Sequence, residues 1–409
     1  MSEALTPFQV SPLEQLYISD VSVLVCEAIH KHAQELRANA VKSDQTNTFA
    51  FDSLTLLQRL GVTAACAPKE LGGSGVHSLS GVCKIVTAIA QYDASLGLSL
   101  SMHFALTVYF SRDYHSTVCA IKKQRLKTWL SALVTDNMIV SSAVSEHGIQ
   151  PWEVRTRALA NEHGFIIKGR KDFVSLAPVA THFYTRVRVD TREGARLGTF
   201  MIPKSQPGLE VDTTWYGMGL KGSGSGKVYF DQVQMDHKDF IDRGEWGIKP
   251  KDFNGRSLGT IPIIAAYLGI AEEAYEQIEL FLKHSDDSNP SARLKQLVAD
   301  ASIRLFSARS ALSYGIEQIE LAQRTLAVDT QIQNSFQACL QVGQIIEKNA
   351  TELVDIAMQL CGGRSYQEGS VLSRLCRDVR ASFFMGVASP ANSWVESLYD
   401  SIIAEINLP

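Results

Sequence analysis

Apolar positions recur at helical spacing through the first third of the chain, from about Pro12 to Leu133. In "FDSLTLLQRLGV", Leu54, Leu57 and Leu60 fall on one face, and Gly61 supplies a stop. The stretch "SGVCKIVTAIAQYDASLGLSLSMHFALTVYF" reads as a nearly continuous apolar helix, too rich in small and polar residues for a membrane span. Between helices, "APKELGGSG" places Pro68, Gly72, Gly73 and Gly75 in a tight loop. Near Asn137 the period changes. The runs "MIVSSAV", "GFIIKGRKDFV", "HFYTRVRV", "LGTFMIP" and "GKVYFDQVQM" are short, β-rich and bounded by turns, which predicts an antiparallel sheet or small barrel over about 138–235.

From Phe253 onward long helical segments return, joined by short polar links such as "SDDSNP", with a closing helix after Pro390. This pattern predicts an antiparallel bundle. The fold class is therefore mainly α with a central β-domain: an N-terminal helical domain over 1–135, a β-domain over 136–240 and a C-terminal helical bundle over 241–409. The segment "GLKGSGSGK" has the look of a phosphate loop, yet a strand follows it rather than a helix, so it reads as a glycine-rich hairpin. Its "GSGSG" fails as a nucleophile elbow for the same reason.

Composition narrows the function classes. With 45% hydrophobic and 20% charged residues in 409, the chain is an ordinary globular protein. A net charge of -4 with scattered Lys and Arg gives no footprint for nucleic acid or an anionic membrane. The N-terminus carries no basic segment leading into an apolar one, and a cytoplasmic location is expected. The seven cysteines are odd in number, lack a C-x-x-C pair and read as reduced core residues. No histidine pattern has metal-ligand spacing, and no GxGxxG follows a first strand. What remains is a β-domain with polar loops between two helical domains, a place suited to a large flat cofactor.

The segments "LQRLGVTAACAPKELGGSG", "SSAVSEHG", "GFIIKGRKDFVS", "GMGLKGSGSGKVYFDQVQM" and "MQLCGGRSYQEGSVLSRLCRDVR", in this order and in this three-part layout, resemble the acyl-CoA dehydrogenase superfamily of flavoproteins. The resemblance implies a middle β-barrel or sandwich and a C-terminal four-helix bundle. It also implies flavin contacts: Val144 and Ser145 at the pyrimidine side of the ring, Phe173 against the ring, Ser175 reaching N5, and Gln359, Gly362 and Gly363 near the dinucleotide, often across a subunit boundary. Bland readings stand beside these, with the serines as turn residues and Phe173 as a core aromatic.

Family dehydrogenases need a carboxylate to remove the α-proton of an acyl thioester. The usual Glu follows the R-D-x-R segment, and Met385 or Gly386 stands there. The alternative position, on the first bundle helix, is also vacant: no carboxylate lies between Asp252 and Glu272. The combination resembles the two-component monooxygenases of the same superfamily. These take reduced FAD or FMN from a separate flavin reductase and oxygenate carbon, nitrogen or sulfur through a C4a-hydroperoxyflavin, in a dry pocket with a hydrogen-bond donor. Ser175 fits that donor, and His103 matches a His that some members place at the flavin edge, although a His on an apolar helix is commonly a core residue. Two other readings stay open. One is an acyl-CoA or acyl-carrier-protein dehydrogenase with Glu146 as a non-standard base; the other is a non-catalytic partner subunit. The resemblance further implies a homotetramer or homodimer and a small-molecule or acyl-thioester substrate. Arg377, Asp378 and Arg380 read as a structural ion-pair network.

Overall fold

The computed structural model describes residues 21–248, 253–284, 291–324 and 329–385, with positions 396, 398, 399, 402 and 403. The start of the chain, the "SDDSNP" link, Gly386 and most of the segment after Pro390 lie outside the described residues. The N-terminal domain comprises α1 (Ser22–Lys31), α2 (Ala33–Thr46), α3 (Phe51–Arg59), α4 (Leu79–Tyr92), α5 (Ala94–Ser116) and α6 (Ala120–Thr135). The long apolar run that the sequence joined into one helix is broken at Asp93. Its carboxylate accepts from the Leu96 backbone N–H at 3.0 Å and caps α5, so the chain turns between two buried helices. Within α5, 23 residues long, 83% of the most apolar window is buried against neighbouring protein, which accounts for its composition.

The central domain is one eight-stranded sheet: β1 (Val140–Ala143), β2 (Arg157–Asn161), β3 (Gly164–Val174), β4 (His182–Thr191), β5 (Gly194–Pro203), β6 (Leu209–Asp212), β7 (Gly226–Met235) and β8 (Ile241–Glu245). The order is β6-β7-β3-β2-β4-β5-β8, with β1 beside β4. Most pairings are antiparallel, as the alternating pattern predicts. β1 and β2 depart from this: both run parallel to β4, one after the other along the edge not taken by β5. A sheet core of Phe165, Ile167, Val174, Phe183, Phe200 and Val228 is separate from the larger helical core.

The bundle contributes α7 (Phe253–Lys283), α8 (Ala292–Arg324), α9 (Asp329–Cys361) and the short α10 (Val371–Val379). It is fastened to the N-terminal domain by Arg37, whose guanidinium meets the buried Glu273 at 2.7 Å and Glu276 at 2.6 Å. The run that ends α10 ties it to both other domains and within itself. Arg377 pairs with Asp44 of α2 at 2.5 Å, Arg380 pairs with Asp355 of α9 at 2.7 Å, and the buried Asp378 carboxylate accepts from the Leu220 N–H at 2.6 Å. Each member of the run thus has a separate structural partner.

At this junction the backbone of Gly219 lies against α10. A Cβ there would come 2.4 Å from the Arg377 carbonyl group, whereas around Gly363 there is open space. Gly219→Ala is expected to lower stability by about 1–3 kcal/mol through overpacking, and Gly363→Ala to stay within about 0.5 kcal/mol of the parent. Thermal melting of the two variants side by side checks this.

Candidate flavin site at the split between β1 and β3

β3 pairs with β2 as far as Lys168, opposite Arg157, and then continues alone along β7. Beyond that point its other edge faces the end of β1 across a split, because the chain between β1 and β2 leaves the sheet as a loop. Two register shifts against β7, between Ile167 and Gly169 and between Lys171 and Val174, bend β3 there. In the second, Phe173 takes φ 56°, and Leu176 follows with φ 64°. Left-handed backbone is unfavourable for such side chains and concentrates where the surrounding fold imposes it, often at ligand sites. Its effect here is to turn Phe173 out of the sheet, 56% exposed, with its ring edge-to-face to Trp215 at 6.4 Å.

Two hydrogen bonds bridge the split. The Asp172 N–H donates to the Ser145 carbonyl at 3.0 Å, and the buried Ser141 hydroxyl donates to the Ser175 carbonyl at 2.5 Å. They bring Val144 and Ser145 alongside Phe173 and Ser175, so four residues singled out in the sequence meet at one place. Ser145 is exposed, Val144 half-buried and Ser175 buried. Gln359, Gly362 and Gly363 are not part of this cluster; they stand exposed at the end of α9 and in the turn after it.

His103 lies behind the site rather than in it. Its ring is fully buried, with Nε2 2.9 Å from the Thr63 carbonyl oxygen and Nδ1 accepting the Val140 N–H at 3.1 Å. These partners fix the tautomer with the proton on Nε2 and leave neither nitrogen for a ligand. Burial pushes the imidazole pKa down to about 4, against the opposing effect of the two backbone bonds. The ring ties α5 to the start of β1, one residue before Ser141, and so positions the split from two links away.

Glu146 is equally committed. Its carboxylate takes the Lys171 ammonium at 2.6 Å, the Thr156 hydroxyl at 2.7 Å, the Thr156 N–H at 3.0 Å and the Arg155 N–H at 2.6 Å. Burial alone would raise its pKa, but the Lys171 charge and the hydrogen bonds from Lys171 and Thr156 outweigh burial and hold it below the ordinary value. Burial in turn pulls the fully enclosed Lys171 down to about 8, despite its partner. A carboxylate bonded on every side and held acidic is a poor proton acceptor. Of the two residues that the resemblance puts at the family's base position, Met385 and Gly386, Met385 is a thioether approached by the Tyr267 hydroxyl at 3.5 Å.

Residues that the sequence reading passed over complete the site. The Ser175 hydroxyl lies 2.9 Å from that of Ser225, which lies 2.8 Å from that of Ser223. Both belong to "GSGSG", whose alternation of hydroxyl and glycine was the available signal. Ser141 and Lys171 also stand inside quoted segments, but their partners come from distant parts of the chain.

Family models match this chain in three consecutive stretches: the acyl-CoA dehydrogenase N-terminal domain over residues 22–114, the middle domain over 142–233 and the C-terminal domain over 261–386. The chain belongs to the acyl-CoA dehydrogenase superfamily. Among its curated relatives, the amino sugar nitrososynthase DnmZ of Streptomyces peucetius is 29% identical over 366 residues, 88% of each chain. The L-evernosamine nitrososynthase of a Micromonospora species is 29% identical over 360 residues, 86% of this chain and 83% of that one. Among solved structures, KijD3 in complex with FMN and dTDP-3-amino-2,3,6-trideoxy-4-keto-3-methyl-D-glucose superposes with a TM-score of 0.87 at 25% identity, covering 98% of this chain and 96% of that one. Members of this superfamily are flavin enzymes, and the split fits such a group: Phe173 and Trp215 offer ring surface, while Ser175 and the end of β1 offer hydrogen-bonding atoms at its edge.

The His103 environment makes a prediction about pH. An unfolded imidazole takes up a proton near 6.5, the folded one only near 4, so between these values the unfolded state binds more protons. The contribution of His103 is full above about 6.5 and falls as pH drops towards about 4, by on the order of 3 kcal/mol in total. Urea midpoints of the parent and of His103→Gln across this window should show a steeper acid-side loss in the parent.

Proposed function

We propose that this protein is a flavin-dependent monooxygenase acting on the amino nitrogen of a nucleotide-linked sugar. The observation that carries the oxygenase reading is the loss of every candidate base. Met385 or Gly386 stands at one family position, α7 offers no carboxylate before Glu272, and Glu146 is locked in its pair with Lys171. An acyl-thioester dehydrogenase, the alternative activity in this superfamily, needs such a group. An oxygenase does not. The substrate class follows the nitrososynthases to which the chain is similar over most of its length, and the fold match to KijD3 in complex with FMN supports FMN, with FAD as the alternative that the wider superfamily uses.

Reduced flavin supplies two electrons to O2, so that one oxygen atom goes to the substrate nitrogen and the other leaves as water. The chain's own part is to hold and shield. Phe173 covers the ring, Val144 and Ser145 engage its pyrimidine edge, and Ser175 donates a hydrogen bond near N5. Gln359, Gly362 and Gly363, exposed on the bundle, meet the rest of the cofactor or a neighbouring subunit. Ile303, Phe306, Tyr314 and Leu321 form an exposed apolar row on α8 that suits pairing of two bundles in a homodimer or homotetramer. A separate reductase delivers the reduced flavin.

The test supplies chemically reduced FMN and O2 together with a dTDP-linked amino sugar, and follows product by mass and peroxide by a coupled assay. An oxygenated amine is expected, with less peroxide than in the absence of sugar. Bleaching of oxidised flavin by an acyl-CoA, with no oxygenated amine, would overturn the reading. Ser175→Ala should raise peroxide per product by about fivefold or more, the factor set by one hydrogen bond of about 1 kcal/mol.

A further inference from the structure

The three hydroxyls of Ser223, Ser225 and Ser175 form a chain, 2.8 Å and 2.9 Å between successive oxygens. A hydroxyl carries one proton and can accept at its oxygen, so such a chain has two possible directions, and the partners at its ends choose between them. Ser223 is 1% exposed, and among the described residues its Oγ has one hydrogen-bond partner, Ser225. If the chain ran from Ser175 towards Ser223, the last proton would be buried with no acceptor, at a cost comparable to a lost hydrogen bond. If it starts at Ser223, the innermost proton has an acceptor: Ser223 donates to Ser225 and Ser225 donates to Ser175, which leaves the Ser175 proton, at the end of the chain nearest the split, for a ligand there.

The surroundings hold this origin in place. The Ser223 carbonyl accepts from the Ser99 hydroxyl at 3.2 Å and from the Leu176 N–H at 3.1 Å, and the Gly224 carbonyl accepts from the Ala177 N–H at 3.2 Å. The loop carrying Ser223 and Ser225 is thereby stitched to the residues just after Ser175. The Ser141 bond to the Ser175 carbonyl fixes the backbone from the other side. Ser225 is only partly buried, and a flavin covering the split would shield it from water and offer an acceptor beside Ser175.

We propose that Ser223 and Ser225 are positioning residues that set the direction of the Ser175 proton, so that Ser175 meets the flavin N5 as a donor. This rests on the reading of the split as a flavin site with Ser175 at N5. Chain polarity also strengthens the final bond, because a hydroxyl that accepts a hydrogen bond becomes a stronger donor.

The experiment compares the binding of oxidised FMN with that of 5-deaza-FMN, in which a C–H replaces the N5 acceptor while charge and shape are kept. Dissociation constants come from fluorescence titration of the full chain. The parent should prefer FMN by about fivefold, the equivalent of one hydrogen bond. Ser175→Ala should bring the ratio to about one. Ser225→Asp, an acceptor that captures the Ser175 proton, should do the same while leaving the Ser175 side chain present; its added charge acts equally on both ligands and cancels in the ratio. If Ser225→Asp keeps the parent's ratio while Ser175→Ala loses it, the positioning role is overturned and Ser175 at N5 stands. If the parent shows no preference, or Ser175→Ala keeps one, the placement of Ser175 at N5 falls and the positioning role with it. If neither flavin binds the parent, the flavin reading itself fails. Should thermal melting show that Ser225→Asp does not fold, Ser223→Ala replaces it: a ratio below the parent's supports the proposal, and an unchanged ratio overturns it.

Discussion

The buried Asp378 carboxylate that accepts the Leu220 N–H is the contact on which the arrangement of the three domains turns. Leu220 has a left-handed backbone at the entrance of the loop that carries Ser223 and Ser225, and Asp378 lies at the end of α10. Burial pushes the Asp378 pKa up to about 6, partly offset by Arg374 and by this hydrogen bond. Such a group is held by its surroundings rather than by its own preference. Around it the same loop accepts from the Ala50 N–H and meets the Ser95 and Ser99 hydroxyls of α5. One connection between β6 and β7 therefore touches the N-terminal helices, the sheet and the bundle, and its position fixes that of the serine chain.

The sheet contributes a complementary constraint. A regular ladder between β1 and β3 would have paired the backbone of both strands and closed the space between them. Instead the parallel placement of β1 and β2 along β4, with a loop between them, leaves the last residues of β3 without a regular neighbour on that edge. The irregular backbone at Phe173 and Leu176 then settles which side chains face out and which face in. The helices do not make this site directly. They hold β1 in place through His103 and the loop in place through Ser99, so the strand ends meet with little freedom left.

The three-part order of the chain was legible from periodicity, because helical and strand patterns change abruptly near Asn137 and again before Phe253. Phe173, Ser175, Val144 and Ser145 were legible through resemblance, and they do meet. The break at Asp93 was not, since a capping Asp within an apolar run is outweighed by its neighbours in any window. The parallel pairing of β1 and β2 was not either, because alternation fixes a strand's faces but not its partners. His103 misled for a physical reason. A buried His serving two backbone groups and a His serving a ligand look alike in sequence, and only the identity of the partners separates them. The pairing of Lys171 with Glu146 spans 25 positions and left no local pattern.

The ionisable groups around the split are held by their partners. The Glu146 carboxylate is neutralised by an enclosed lysine and three further donors, and the buried His103 behind the split is held neutral. Beside them the buried Ser175 carries a hydroxyl, which holds its proton at neutral pH. A dehydrogenase would need the opposite arrangement, with an unpaired carboxylate whose pKa burial has raised towards neutrality. An oxygenase is harmed by that arrangement, because mobile protons and water waste the activated oxygen. The same residues that remove the base thus suit the split to oxygen, and the loss of basicity at Glu146 and the hydroxyl proposed to donate from Ser175 are two parts of a single electrostatic environment.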